Sequence, residues 1–267
     1  MSQCRRACAK DVNAVVHPVP VSFDYVLILE WLGEGDAPTG AQLHEFLQTI
    51  GFRSSLVVCR SWEDIEQALI AARNAADGNG IPIVHMETHG ANPWVGELDA
   101  GVGFGPDLDS APVWAGLGPL LAPLNVRAGF RLLVVSAACW GSGVIAAIHA
   151  GDHRAPFACA VGLRTEVTEG RLRAAMRELY RRLRDGTPLV ECVACAQREL
   201  GAGEELRLEV IVELAMRMLA TLYHRRRVPL IGLLRWRRNT RKVWNAWFPP
   251  HLQVQVPAYR FENIDPV

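Results

Sequence analysis

Ile81-Pro82-Ile83-Val84-His85-Met86-Glu87-Thr88-His89-Gly90 is an apolar run that closes on His-Gly, and about fifty residues later Arg131-Leu132-Leu133-Val134-Val135-Ser136-Ala137-Ala138-Cys139 is a second that closes on Cys. Each run has the length of a buried strand, so each closing residue falls where a parallel strand gives way to a loop. Open α/β sheets carry their chemistry at that edge. A thiol and an imidazole delivered there by two strands, Cys139 and His89, have the make-up of a Cys-His nucleophilic pair.

Upstream of the first run, Phe23 to Trp31 reads as a strand and Thr39 to Ile50 as a helix with apolar residues at Leu43, Phe46, Leu47 and Ile50. Ser54 to Cys59 reads as a second strand. Ser61, with Asp64 three residues on, opens another helix through a capping box in which Asp replaces the usual Glu or Gln. Asp77-Gly78-Asn79-Gly80 is expected to end that helix near Ala76. Strand, helix, strand, helix, strand predicts an α/β fold with a parallel sheet.

Residues 91–129 are rich in Gly, Pro and Asp, with only a short helix expected around Trp114 to Leu121; a connection this long and irregular is usually functional. After Cys139, the pattern predicts a short helix from Gly143 to Ala150, a strand from Phe157 to Leu163, an amphipathic helix from Glu169 to Arg184, and a helix from Leu189 to Leu200. Past Gly203 it predicts a long helix to about Arg227, a basic Trp-rich segment, and a last strand through Leu252, Val254 and Val256. Three parts follow: a tail (1–22), the sheet domain (23–203) and a C-terminal helical and basic extension (204–267).

Half of the 267 residues are hydrophobic, enough for a substantial core. Formal net charge is zero but unevenly spread: Leu214 to Phe261 holds ten Arg or Lys and no Asp or Glu, leaving 18 basic against 28 acidic residues elsewhere. No basic stretch followed by an apolar one opens the chain, and Leu206 to Tyr223 is broken by four charges, so a secretory signal and a membrane span are not expected. Seven cysteines at irregular spacing read as reduced thiols of a cytoplasmic protein.

Between Val84 and Gly90 the chain resembles the strand ending V-H-x-x-T-H-G of the CHAT family, caspase-like cysteine peptidases common in bacteria, and Leu133 to Gly143 resembles that family's L-V-V-x-S-A-C strand. Ala160 to Leu163, Arg173 to Gly186 and Ala194 to Leu200 follow the same family order downstream, so the resemblance covers roughly residues 81 to 200. It implies a caspase-like three-layer α/β/α sandwich with a mostly parallel sheet in 23–203, acting as a cysteine endopeptidase. It further implies Cys139 as nucleophile, His89 as proton donor to the leaving amine, and the backbone N–H groups of Gly90 and Cys139 as oxyanion hole. The implied setting is a bacterial defence or cell-death system, in which the substrate is a protein partner, such as a pore-forming or other effector encoded nearby, and a sensor or regulatory protein controls cleavage.

Three positions depart from the family pattern. Cys139-Trp140-Gly141-Ser142-Gly143 is about a residue longer than C-x-x-G, Arg164 stands where the family often has Trp, and Ala137 stands where relatives that cleave after basic residues have Asp. With Arg164 beside the pocket, an apolar or acidic residue before the cut ranks above a basic one, unless Glu166 or Glu169 reverses the pocket's sign.

Competing readings bear on several residues. His85, inside its strand, reads as a satisfied core histidine, and four residues along a strand do not bring His85 and His89 together on a metal. Cys192-Val193-Ala194-Cys195 lies in an apolar helix without a second pair, and Gly101 to Gly105 reads as an active-site flap rather than a phosphate loop. No cofactor or metal is expected. The Arg- and Trp-rich extension has a composition that suits nucleic acid or an anionic membrane, against the plainer reading that its Trp residues dock on the acidic body. The alternative function is therefore a degenerate caspase-like binding module acting through that extension.

Overall fold

The computed structural model describes residues 23–91, 103–107, 114–148 and 155–210. β1 (Tyr25–Trp31), β3 (Pro82–Thr88), β4 (Leu133–Ala137) and β5 (Cys159–Leu163) are each buried along their whole length. Strands with no polar face need cover on both sides. The two faces of the sheet accordingly meet different helices. Leu27, Leu29, Val84, Met86 and Val134 pack against Ile65 and Leu69 of α2 (Trp62–Asn79) and Leu121 and Leu124 of α3 (Gly118–Arg127). Val26, Ile28, Ile83, Val135 and Val161 pack against Leu43 and Leu47 of α1 (Thr39–Thr49), Met176 and Leu179 of α4 (Glu169–Arg184), and Cys192 and Val193 of α5 (Leu189–Gln197).

With β2 (Ser54–Val58) and β6 (Leu206–Val210) the described residues form a sheet of six strands in the order β2-β1-β3-β4-β5-β6. The first five are parallel and β6 is antiparallel. The chain steps from β1 outward to β2 and then crosses back to β3 on the other side of β1. The order therefore reverses at β1 and β3, and the loops leaving their C-terminal ends diverge to opposite faces and open a crevice there. Each fully buried aliphatic side chain in the sheet centre contributes about 1.5–3 kcal/mol, so the centre carries the stability and the C-terminal rim is left for polar groups.

Most elements match the sequence pattern, with four differences. α2 runs past Asp77 and Gly78 to Asn79, because Gly80 is the residue that takes the left-handed turn (φ 88°) that stops it. A β-carbon on Gly80 would also strike the Asp24 side chain at 2.4 Å. Ser61 and Asp64 form the expected capping box at the other end. The short helix expected at Trp114–Leu121 is a 3-10 turn (Trp114–Leu117) running into α3, which accommodates Pro119 in its first turn and continues through Pro123. The short helix after Cys139 is a 3-10 helix over Gly141–Ile148.

The fourth difference is a correction. Leu206–Val210 does not begin a long helix: it pairs antiparallel with β5, Leu206 opposite Leu163 and Val210 opposite Cys159. Its alternation Leu-Arg-Leu-Glu-Val is the period-two pattern of a strand with one apolar face, and the open edge of β5 takes it up. The sheet thus extends past residue 203. The remainder of the extension, with its Trp-rich basic segment, and the tail lie outside the described residues. No helix among the described residues is long and apolar enough to cross a membrane.

Candidate active site

Glu87 of β3 lies opposite Ala137 of β4 in the parallel register. Two residues further along each strand come His89 and Cys139, on the same face because side-chain direction repeats every second residue. The two chain ends touch: a β-carbon on Gly90 would lie 1.8 Å from the carbonyl oxygen of Cys139. Glycine is required there by close backbone approach rather than by φ. Past the thiol the chain turns sharply. Trp140 sits in the left-handed region (φ 55°), the Gly141 N–H donates to the Ala138 carbonyl at 3.0 Å, and the Trp140 N–H donates to the Thr165 carbonyl at 3.4 Å. A non-glycine residue held at positive φ costs roughly 1–2 kcal/mol, a strain that favours sites where the chain must aim a side chain. Among the described residues, the N–H groups of Gly90 and Cys139 make no hydrogen bond. The Cys139 Sγ is half-buried, with the Val167 carbonyl 3.8 Å away.

His89 is held by a residue that sequence reasoning missed. Asp36, in the loop between β1 and α1, places Oδ2 2.8 Å from His89 Nε2 and also accepts from the Gly33 N–H at 2.6 Å. The hydrogen bond from His89, and secondarily that from Gly33, holds the Asp36 carboxyl below its usual value although partial burial opposes them. As a carboxylate Asp36 accepts the Nε2 proton, which leaves Nδ1 of a neutral His89 as the free basic nitrogen.

These groups rim a cleft of about 200 Å³ at the crevice between β1 and β3. Leu32 and Asp36 come from the first loop, Thr39 from the start of α1, Glu87 to His89 from the end of β3 and the residue after it, and Ala137 to Cys139 from the end of β4 and the two residues after it. One wall is a stripe of α4, Glu169, Leu172, Arg173, Met176 and Arg177, at the spacing of one helical face. No protein-family model matches the chain, and no curated protein matches it. The volume is below the roughly 300–1,000 Å³ typical of pockets that enclose a drug-sized ligand. Among the described residues no three His, Cys, Asp or Glu side chains converge as a metal site.

Beneath the cleft His85 is fully buried, as its strand position predicts, and is satisfied at both nitrogens. Nδ1 is 2.8 Å from the Tyr180 hydroxyl and Nε2 is 2.9 Å from Glu87 Oε1, while the Thr39 hydroxyl donates to Glu87 Oε2 at 2.9 Å. Burial, and then the Glu87 charge, pushes the Tyr180 hydroxyl well above its usual value, so it keeps its proton and donates to Nδ1, and the Nε2 proton goes to Glu87. The next carboxylate across the sheet, Glu30, accepts from the Gly40 and Ala41 N–H groups at 2.7 and 3.3 Å. Two neighbouring carboxylates thus fasten the first turn of α1, and with it the loop that carries Asp36.

The expected pocket residues divide. Ala137 lines the cleft beside Cys139. Arg164 does not line it: it is exposed, with its guanidinium 3.8 Å from Glu205 at the start of β6, because the loop after β5 leans toward that strand. Glu166 is exposed and also lies outside the lining, whereas Glu169 is part of it, ion-paired with Arg173 at 3.3 Å. Gly103 to Gly105 is pinned: Ala91 and Gly105 donate to the Gly103 and His89 carbonyls, both at 3.1 Å, and Phe104 is fully buried. The Phe104 ring stacks on Trp114 at 4.2 Å and meets Trp31 and Trp62 edge-on at 5.9 and 5.8 Å. Cys192 and Cys195 sit in α5, remote from the cleft lining.

Proposed function

We propose that this chain is a cysteine endopeptidase with a caspase-like α/β/α sandwich, using Cys139 and His89 on a specific protein substrate. The observation that carries the reading is that a half-buried thiol and a carboxylate-held imidazole line one cleft where the strand order reverses, beside two backbone N–H groups that make no hydrogen bond among the described residues. In this reading His89 Nδ1 accepts the Cys139 proton, and the thiolate attacks the scissile carbonyl to form a carbon–sulfur bond. The tetrahedral oxyanion is received by the N–H groups of Gly90 and Cys139, each worth about 3 kcal/mol by analogy with other oxyanion holes. The imidazolium returns its proton to the leaving amine as the carbon–nitrogen bond breaks, and water then hydrolyses the thioester. Asp36 is a positioning residue that fixes the ring through Nε2. The resemblance to bacterial CHAT peptidases supports an effector protein of a defence or cell-death system as substrate.

Cys139→Ala and His89→Ala are each expected to abolish peptide cleavage and, for Cys139→Ala, labelling by an electrophilic peptide probe, with unchanged circular dichroism and Tm. Full cleavage by either folded variant would reject the mechanism. A folded wild-type protein whose Cys139 no such probe labels would instead favour a binding module.

A further inference from the structure

We infer that Arg177 selects substrates with a carboxylate side chain next to the scissile bond. This inference rests on the peptidase reading and adds a substrate class to it. The cleft that contains Cys139 is lined by three carboxylates and two guanidinium groups. Every carboxylate already holds a donor: Asp36 holds His89, Glu87 holds His85 and Thr39, and Glu169 holds Arg173. Arg173 is committed as well, donating to Gln42 Oε1 at 2.7 Å and to Glu169 at 3.3 Å. Arg177, one turn further along α4, makes no hydrogen bond or ion pair among the described residues, and its Nε is shielded from water without an acceptor.

Stacking holds this guanidinium in place, its Cζ 5.3 Å from the centre of the Phe46 ring. A cation fixed by an aromatic face and left with open donors is prepared for a bidentate carboxylate. Leu172, Met176 and Val167 supply an apolar sleeve, and Ala137 leaves the floor clear for one side chain. A lysine or arginine in the same cleft would meet carboxylates that are already satisfied and an unpaired Arg177, a repulsion without compensation. The specificity expected of Arg164 moves to Arg177, from the loop after β5 to the helix wall.

The test uses three peptidyl acyloxymethyl ketones that differ only in the residue before the warhead, Asp, Leu or Lys, with the rate of Cys139 modification read by mass spectrometry on the full chain. The wild-type protein is expected to react at least tenfold faster with the Asp probe than with the Leu probe, and slowest with the Lys probe. Arg177→Gln should bring the Asp-to-Leu ratio to near unity, Arg177→Lys should retain part of it, and Arg177→Glu should favour the Lys probe. A merely structural role would slow all three probes in proportion and leave the ratios intact, which would overturn the inference. So would Cys139 labelling that is fastest with Leu or Lys in the wild type, while leaving the peptidase reading standing. Absence of Cys139 labelling by every probe would overturn both.

Discussion

Asp36 is separated from His89 by 53 positions, and that distance along the chain is why no local pattern pointed to it. His89, Gly90 and Cys139 were legible because each closes a strand and the strand edge is itself readable. Arg177 was visible only as one more basic residue of an amphipathic helix, and its lack of a partner among the described residues is a property of the assembled wall. The role given to Asp36 leads to a measurable consequence. Its folded-state value lies below its unfolded one, so its contribution is present once the carboxyl is ionised and is lost as pH falls through the lower, folded value. The His89 contact should therefore survive through the ordinary Asp range near 3.9. Asp36→Asn is expected to lower kcat/KM about a hundredfold at neutral pH, the low end of what a positioned acid–base group contributes. A kcat/KM within twofold of wild type in a folded Asp36→Asn protein would remove Asp36 from the machinery of the site. Because both side chains are partly exposed, salt should narrow the gap.

Among the elements, α4 was readable to the residue, since its apolar stripe is regular and the Asp185-Gly186 turn marks its C-terminal end. β6 was not, because five alternating residues joined to a longer apolar stretch fit either period, and the decision belongs to the open edge of β5. That edge strand has a clamp. Gln197, the last residue of α5, donates from Nε2 to the Glu204 carbonyl at 2.8 Å and accepts the outward N–H of Leu206 at 2.6 Å. The single amide of Gln197 thereby satisfies both kinds of backbone group where the strand begins. Gln197→Met removes both bonds at similar volume and should cost about 1–3 kcal/mol in urea unfolding. The rate of Cys139 modification should stay within twofold of wild type, since β4 and β5 separate β6 from β3; a large rate loss at unchanged stability would mean that the clamp reaches the site.

At the scale of the molecule, the described thiols sort by environment. Burial, helped by nearby carboxylates, pushes Cys59 up to about 12, burial and then Cys195 push Cys192 to about 12, and burial alone raises Cys159. At pH 8 a thiol of that kind is ionised in about one molecule in ten thousand. Brief iodoacetamide treatment of the folded protein should therefore modify Cys139 and spare Cys59, Cys159 and Cys192, as read by peptide mapping; modification of any of these three at a rate matching Cys139 would contradict the described packing. The sheet that produces this sorting was foreseeable from its apolar runs, whereas the reversal of strand order that opens the cleft was not, because single-sequence periodicity says which segments are strands and not which lie side by side.

The pinning of Phe104 has a consequence for what this protein can become. Ala91 and Gly103 are joined by a backbone hydrogen bond, and Phe104 is clasped by Trp31, Trp62 and Trp114, so the intervening chain is a ring closed at its base. Doubling the length of such a ring adds only about 0.6 kcal/mol of closure entropy. Sequence inserted between those two ends leaves the clasp at Phe104, and the His-Gly pair beside it, in place, so the length of this connection can change at little cost to the fold.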